Sequence, residues 1–378
     1  MNLSFWEYDA FLKDIDIVII GSGIVGLTAA LKIKTQQPKL KVVILERGSL
    51  PSGASTKNAG FACFGSASEL LEDLEHHTED EVLSLLEKRW KGLQRLTQHV
   101  GKSMGYLQHG NYEVFAQKDK ALFETCAEQL NYLNKQIAPI TGELETFSVQ
   151  DGQLSQFGFK QIDHLIWNRS EGQIHTGRMM EALLEKAKDA GILILNGIEV
   201  KELEETSSQV TIHTQQGWNI NCKAALIATN GFARHLLPDL QVKPARNQVL
   251  LTSPIPNLPI AGCFHYDKGY VYFRNIENRI LIGGGRNLNI EGETTAEFGF
   301  TDQIQEHLQG LLKNYFLPNQ DYTIEHKWSG IMGVADQKKP IVKHHSKRIS
   351  IAVRMGGMGV AIGSLIGEEG AGLALENL

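Results

Sequence analysis

The chain of 378 residues has only four cysteines, Cys63, Cys126, Cys222 and Cys263, and no two of them form a C-x-x-C pair. That spacing excludes a disulfide framework and a structural zinc site, and it reads as free thiols in a reducing compartment. The chain also has no excess of positive charge. Thirty-seven Lys and Arg stand against 43 Asp and Glu, a net charge of −6, with both signs interspersed. A general nucleic-acid surface is therefore not expected. No apolar run is longer than a strand, and the N-terminus has no basic region before a hydrophobic stretch. Neither a membrane span nor a signal peptide is expected, which leaves the cytoplasm as the expected compartment. Internal repeats and low-complexity tracts are lacking too.

What is present begins with Asp16-Ile-Val-Ile-Ile-Gly21-Ser-Gly23-Ile-Val-Gly26-Leu-Thr-Ala-Ala30, a buried-strand pattern, a glycine turn and a helix pattern. A second apolar run ends in the acid Glu46, 46 − 21 = 25 residues after Gly21. Each position has a physical reason in a dinucleotide-binding βαβ unit. Gly21 permits a sharp turn, Gly23 lets a pyrophosphate approach the backbone, and Gly26 lets the helix pack against the strand. The N–H groups of Ser22, Gly23, Ile24 and Val25 open the helix, where its dipole favours phosphate. Glu46 can accept from a ribose hydroxyl. An adenine dinucleotide and redox chemistry are expected.

Residues 51–68 are rich in small residues without periodicity, the pattern of an ordered functional loop. Helical spacing follows over 69–100 and 120–137, with a hairpin or strand pair near 106–116 between them. Thr176 and Gly191 are expected to cap a helix at its two ends. Strands are expected at 192–195 and, around a turn at Gln215-Gln-Gly217, at 209–214 and 218–222. The buried run 224–231 ends in Ala228-Thr229-Asn230-Gly231. Residues 245–300 alternate in the manner of antiparallel sheet, a helix is expected near 301–313, and a last strand enters the glycine turn Gly356-Gly357-Met358-Gly359-Val360. The fold expected is α/β: a Rossmann-like dinucleotide domain built from discontinuous segments (1–75, 171–231 and 328–378). A mainly antiparallel-sheet substrate domain with helices takes 76–170 and 232–327.

The order of Gly21-x-Gly23-x-x-Gly26, Glu46-Arg47, Gly53-Ala54-Ser55-x-x-Asn58-Ala59-Gly60, Ala228-Thr229-Asn230-Gly231 and Gly356-Gly357-Met358-Gly359 resembles one family. It is that of the FAD-dependent oxidoreductases that includes D-amino-acid oxidase, glycine oxidase, sarcosine oxidase and γ-glutamylputrescine oxidase. The resemblance covers nearly the whole chain. It implies non-covalent FAD, with Arg47 by the adenine, Val200 offering backbone to it, and Thr56, Lys57 and their loop neighbours threading past the pyrophosphate and flavin. The turn 356–360 would offer N–H groups to the flavin's pyrimidine end. The implied reaction oxidises a C–N bond of a small amine or amino-acid derivative, giving an imine that hydrolyses. Oxygen or another electron acceptor would be the second partner. Alternatives are a dehydrogenase passing electrons to a quinone or carrier, and a non-catalytic flavin-binding protein.

The resemblance also exposes an absence. Relatives acting on free amino acids carry a carboxylate-binding arginine in a Trp-x-Gly-x-Arg-Pro pattern. Here Trp328-Ser-Gly330-Ile is followed by Met332 and Gly333. A thioether cannot replace a bidentate guanidinium, so either the substrate lacks an α-carboxylate or another group binds it. Candidate catalytic residues are Arg354, beside the glycine turn or else facing a phosphate or solvent, and Lys57, in the flavin loop or else solvated. Tyr270 and Tyr272 share one strand face, as substrate contacts or as sheet packing, and Tyr270 falls near a substrate-contacting tyrosine of glycine oxidase. Arg274 and Arg286 flank that strand pair as structural or exposed charges, and His265 could join the same face.

Overall fold

The computed structural model describes residues 3–378. Met1 and Asn2, the start of the first expected segment, lie outside the described residues. Apolar β-branched runs form the central sheet. It comprises β1 (Ile15–Ile20), β2 (Val42–Glu46), β8 (Leu193–Asn196), β11 (Asn219–Ile227) and β18 (Ile349–Val353). The order is β18-β11-β1-β2-β8, and all of these neighbours are parallel. β1, β2 and β18 are buried almost throughout, on both faces, which is why they read as nearly continuous apolar runs rich in Val and Ile. An antiparallel edge, β17 (Ile341–His344), extends the sheet beyond β18. The ribbon β9 (Val200–Glu205) and β10 (Val210–Thr214) hangs from β11. The chain leaves β1 toward β2 on one side while β11 lies on the other. That reversal opens a crevice at the strand C-termini, where α/β sheets bind ligands.

The second sheet runs β16-β12-β15-β14-β13-β4-β6-β5. Its strands are β4 (Asn111–Ala116), β5 (Phe147–Val149), β6 (Ile162–Asn168), β12 (Lys243–Thr252), β13 (Cys263–Tyr266), β14 (Val271–Ile276), β15 (Arg279–Gly284) and β16 (Ile324–Val334). One face packs Phe264, Phe273 and Phe316, with Phe264 and Phe273 stacked at 4.7 Å, and helix Asp302–Leu311 closes that core. A small antiparallel pair, β3 (Phe61–Ala62) and β7 (Gly172–Gln173), joins the two halves.

The expected boundary at 328 falls inside β16, which pairs along its length with β12, so Gly330 and Met332 stand on the antiparallel sheet. Helix Glu79–Val100, expected in the substrate domain, spans both cores. Val82 and Leu86 pack with Phe115, while Leu96 and Val100 pack with Ile24 and Leu27. The helical region 69–100 is two helices, Ala67–His76 and Glu79–Val100, divided where Thr78 and Glu81 form a capping box. Thr176 is not the N-cap expected of it. His175 caps the helix by accepting from Arg178 N, and the Thr176 hydroxyl donates instead to Asn58 Oδ1 at 2.9 Å. A tertiary partner has taken the hydroxyl that local sequence assigned to the cap. Near 106–116 only Asn111–Ala116 is a strand of the large sheet; Leu107 bridges to Gln173. No helix among the described residues is long and apolar enough to cross a membrane.

Candidate active site

A cavity of about 470 Å³ runs from the C-terminal ends of β1 and β2 to the face of the antiparallel sheet. Ligand pockets commonly have this size. Its first wall is the glycine turn. A Cβ on Gly21 (φ +106°) would sit 2.9 Å from the Ala228 carbonyl oxygen, and one on Gly26 would sit 1.9 Å from Gly21 O. Side chains are excluded at both, as expected from the close crossing of strand and helix. Gly21, Ser22, Gly23, Ile24 and Val25 line the cavity, whereas Gly26 lies behind the turn, where its work is packing. The Ser55 hydroxyl accepts from Ile24 N at 2.9 Å, placing the 53–60 loop across the helix N-terminus. Glu46 also borders the cavity. It accepts from Ser22 N at 3.1 Å, Ser22 Oγ at 2.7 Å and Gly48 N at 2.9 Å. Three of roughly four carboxylate acceptor sites are thus used, leaving one for a further hydroxyl. The Arg47 guanidinium lies 4.3 Å above the Phe232 ring, and Val200 lines the same cavity.

The 53–60 loop contains one short helix, Ala54–Lys57, and is fixed at both ends. Thr56 donates to Pro51 O at 2.7 Å and points away from the cavity lining. Asn58 Oδ1 accepts from Gly60 N at 2.9 Å and from Thr176. Gly60 (φ +77°) also stays out of the lining, pressed against Ile174 O and the Arg274 guanidinium. Arg274 is a structural peg: it is buried and its Nε donates to Ala59 O. The Trp328 indole donates to Lys57 O at 3.0 Å. The antiparallel sheet thereby holds the loop that the parallel sheet presents. Ala54, Ser55, Lys57, Asn58 and Ala59 line the cavity, and the Lys57 ammonium rests 5.0 Å over the Phe298 ring.

Thr229 and Asn230 border the centre, while Gly231 packs behind it against Met332 O. Asn230 Oδ1 accepts from the N–H groups of Arg354 and Met355, both at 3.1 Å, and so shapes the C-terminal glycine turn. Thr229 Oγ1 is buried with no hydrogen-bond partner among the described residues. An orphaned hydroxyl on a cavity wall is what a bound polar ligand would satisfy. Gly356 and Gly357 have φ of +58° and +84°, and Gly356, Gly357, Met358, Gly359 and Val360 line the cavity at the start of helix Gly359–Glu376. Arg354 does not line it. Its guanidinium donates to Lys339 O at 2.8 Å and Gln241 O at 2.9 Å, so the side chain braces the turn from behind.

The far wall is the antiparallel sheet. Tyr272, Asn247 and Met332 converge there: Asn247 Nδ2 donates to the Tyr272 hydroxyl at 3.3 Å and approaches Met332 Sδ at 3.8 Å. Burial pushes the Tyr272 phenol well above its ordinary value, so it remains a neutral hydrogen-bonding group. Tyr270 stands at the rim, 38% exposed. His265 borders the cavity beside Phe61, and its Nδ1 meets Asn111 Nδ2 at 2.8 Å. Burial lowers its pKa to about 4, which keeps it neutral. Glu69 is ionised: burial opposes its charge, but Arg89 and Lys338 beside it hold the carboxyl below its usual range. Cys63 reaches the cavity too, as a protonated thiol whose pKa burial raises. Among the described residues no cluster of His, Cys, Asp and Glu is arranged to hold a metal.

Sequence reasoning missed Asn247 and the Glu69–Lys338 cluster. Asn247 alternates with Val249 on β12, so strand period placed it on the Val249 face. Nothing in that period said the face was a cavity wall. Glu69 and Lys338 lie 269 residues apart, and no local pattern links them.

The profile of the family described as DAO, FAD dependent oxidoreductase, matches residues 16–373. The bifunctional protein ThiO/ThiG of Trichormus variabilis is 25% identical over 357 residues, covering 89% of this chain and 49% of that protein. The chain thus spans about half the length of that relative. Glycine oxidase of Geobacillus kaustophilus is 22% identical over 365 residues, covering 90% of this chain and 87% of that one. The crystal structure of iminodiacetate oxidase from Chelativorans sp. BNC1 superposes with a TM-score of 0.75 at 18% identity. It covers 95% of both chains.

Proposed function

The chain belongs to the DAO family of FAD dependent oxidoreductases, and from that membership we propose that it oxidises a C–N bond of an amino acid or amino-acid derivative. The observation that carries the reading is the continuity of the cavity. One end is a dinucleotide turn closed by Glu46, and the other is a wall of Asn247, Tyr272 and Met332. A cofactor in the first part has its substrate space in the second. The relatives' names support the same chemistry, since glycine oxidase and iminodiacetate oxidase both act at carbon beside nitrogen.

The residues fit FAD. Glu46 has an acceptor site free for a ribose hydroxyl, the glycine turn has no side chains to obstruct a pyrophosphate, and Thr229 Oγ1 lacks a partner. When bound, FAD supplies the hydride acceptor, a role no protein side chain can fill. The chain's own residues do the rest. The helix N-termini at Ile24 and Gly359 favour negative charge on the cofactor. Tyr272 and Asn247 offer neutral hydrogen bonds, so a substrate amine is not held in its charged form by a carboxylate at that wall. Met332 adds an apolar, polarizable surface. The resulting imine is hydrolysed by water, which needs no protein base.

The test is an anaerobic absorption titration of the FAD-loaded protein with glycine, sarcosine, proline, D-alanine and γ-glutamylated diamines. Bleaching of the flavin band by one of them supports the reading and names the substrate class. A protein that takes up no FAD, or a flavin that chemical reductants bleach and no amine does, overturns it. The rate at which air restores the colour separates oxygen from a quinone or carrier as acceptor.

A further inference from the structure

Besides Arg47, four cations line the cavity: Lys57, Lys268, Arg286 and Lys338. Two are already neutralised. Lys268 pairs with Glu72 at 3.0 Å, and Lys338 pairs with Asp73 at 2.6 Å and Glu69 at 3.6 Å. Lys57 has its ammonium on the Phe298 ring. Arg286 is half-buried, lines the cavity, and among the described residues has no ion pair or hydrogen bond. A half-buried guanidinium left without an anion is unusual, because its desolvation is uncompensated until an anion arrives.

The backbone around Arg286 holds it in place. β15 ends at Gly284 (φ +108°), and Gly285 (φ +75°) follows as the cap of the short helical turn Arg286–Asn289. A Cβ on Gly284 would lie 1.9 Å from Tyr270 O, and Gly285 N donates to that same oxygen at 2.8 Å. The backbone leading into Arg286 is thus held against that of Tyr270, and both residues line the cavity. Asp267, on the turn that leads to Tyr270, accepts from Asn287 Nδ2 at 2.9 Å, so it is engaged by the next residue along. Across the cavity, the position where a carboxylate-binding arginine was expected holds Met332.

We propose that Arg286, with Tyr270 beside it, is the carboxylate-binding subsite of this enzyme. The substrate is then an amino-acid derivative whose carboxylate lies at the rim of the cavity, away from Met332. The planar guanidinium offers two parallel N–H donors to a carboxylate, and the exposed Tyr270 hydroxyl is available to add a third. Arg286 is a specificity-determining residue, and its role rests on the C–N oxidation reading above.

The experiment titrates the FAD-loaded protein with acetate, glycolate and benzoate, and with acetamide and benzamide as neutral controls. Perturbation of the flavin absorption band reads binding. The proteins compared are wild type, Arg286→Gln, Arg286→Lys and Lys57→Gln. Carboxylates should bind wild type, lose at least tenfold in affinity in Arg286→Gln, and recover part of it in Arg286→Lys. The amides should bind wild type and both Arg286 variants alike. With a reducing amino acid, Arg286→Gln should raise KM at least tenfold while kcat changes less than threefold. The proposal is overturned if carboxylates bind Arg286→Gln as they bind wild type, if Lys57→Gln carries the loss instead, or if no carboxylate perturbs wild type. Failure of the C–N reading is separately visible, as a flavin that no amine bleaches whatever the carboxylates do.

Discussion

At the scale of single residues, the cofactor end depends on groups with no slack. Glu46 is 7% exposed and uses three acceptor sites on the chain's own donors. Glu46→Gln would exchange charge-assisted bonds for neutral ones and put an NH₂ against existing donors. FAD affinity should fall about tenfold to hundredfold, read by flavin fluorescence during titration of apoprotein; an unchanged Kd would remove Glu46 from the ribose site. Gly26→Ala forces a Cβ to within 1.9 Å of Gly21 O, a contact backbone cannot relieve without moving the turn. Overpacking of this kind costs about 1–3 kcal/mol. Denaturant unfolding should show that loss together with weaker FAD retention, and a variant as stable as wild type would mean the turn is pliable.

At the scale of elements, two arginines are braces for loops: Arg354, read from sequence as a catalytic candidate, and Arg274, read there as a structural or exposed charge. Arg354 (φ +68°) ties the C-terminal turn to Lys339 O and Gln241 O, and Arg274 ties the 53–60 loop to Ala59 O. Arg354→Met should lower thermal stability and FAD retention. With FAD saturating, kcat on the amine that bleaches the flavin should stay within about threefold of wild type, since each lost backbone contact costs on the order of 1–3 kcal/mol of stability. A thousandfold drop in kcat at full FAD loading would restore Arg354 to the reacting centre. Arg274→Met should act in the same way on the other loop.

At the scale of the whole molecule, the two sheets meet over buried carboxylates. Glu171 accepts from Phe64 N at 2.6 Å, Gly65 N at 2.9 Å and Asn111 Nδ2 at 2.7 Å, joining the flavin loop's continuation to the antiparallel sheet. Glu113 does the same for Ser66 and Ser68. Burial raises both carboxyls to about 7, against the hydrogen bonds that lower them. For a raised carboxyl the folded state holds its proton while the unfolded chain has released it. The associated stability is present below about pH 4.5 and is lost as pH rises through about 7. His265, lowered to about 4, opposes this: its stability is present above about 6.5 and lost as pH falls toward 4. Glu113→Gln removes one titrating group. The Tm of the variant relative to wild type should therefore be higher at pH 8 than at pH 5, by an amount equivalent to at most about 3 kcal/mol. A Tm difference independent of pH would mean that Glu113 keeps an ordinary pKa.

The sequence by itself determined the dinucleotide unit. Gly21, Gly23, Gly26 and Glu46 are neighbours through one strand, one turn and one helix, so spacing alone brings them together. It equally marked the C-terminal glycine turn, whose positive φ angles only glycine adopts at low cost. Alternation suggested one strand face for Tyr270 and Tyr272, but only Tyr272 is on β14; Tyr270 belongs to the turn 267–270 that precedes it. The tertiary structure alone decided what each face meets. It gave the Thr176 hydroxyl to Asn58 rather than to its own helix, turned Arg354 and Arg274 onto backbone carbonyls, and set Asn247 against Tyr272 and Met332. It also placed Glu69 beside Lys338 and left Arg286 facing the cavity. The division follows from range. Turn geometry and strand period are written within a few residues. A side chain's partner across a cavity is fixed by the packing of segments hundreds of residues apart, and no local pattern carries it.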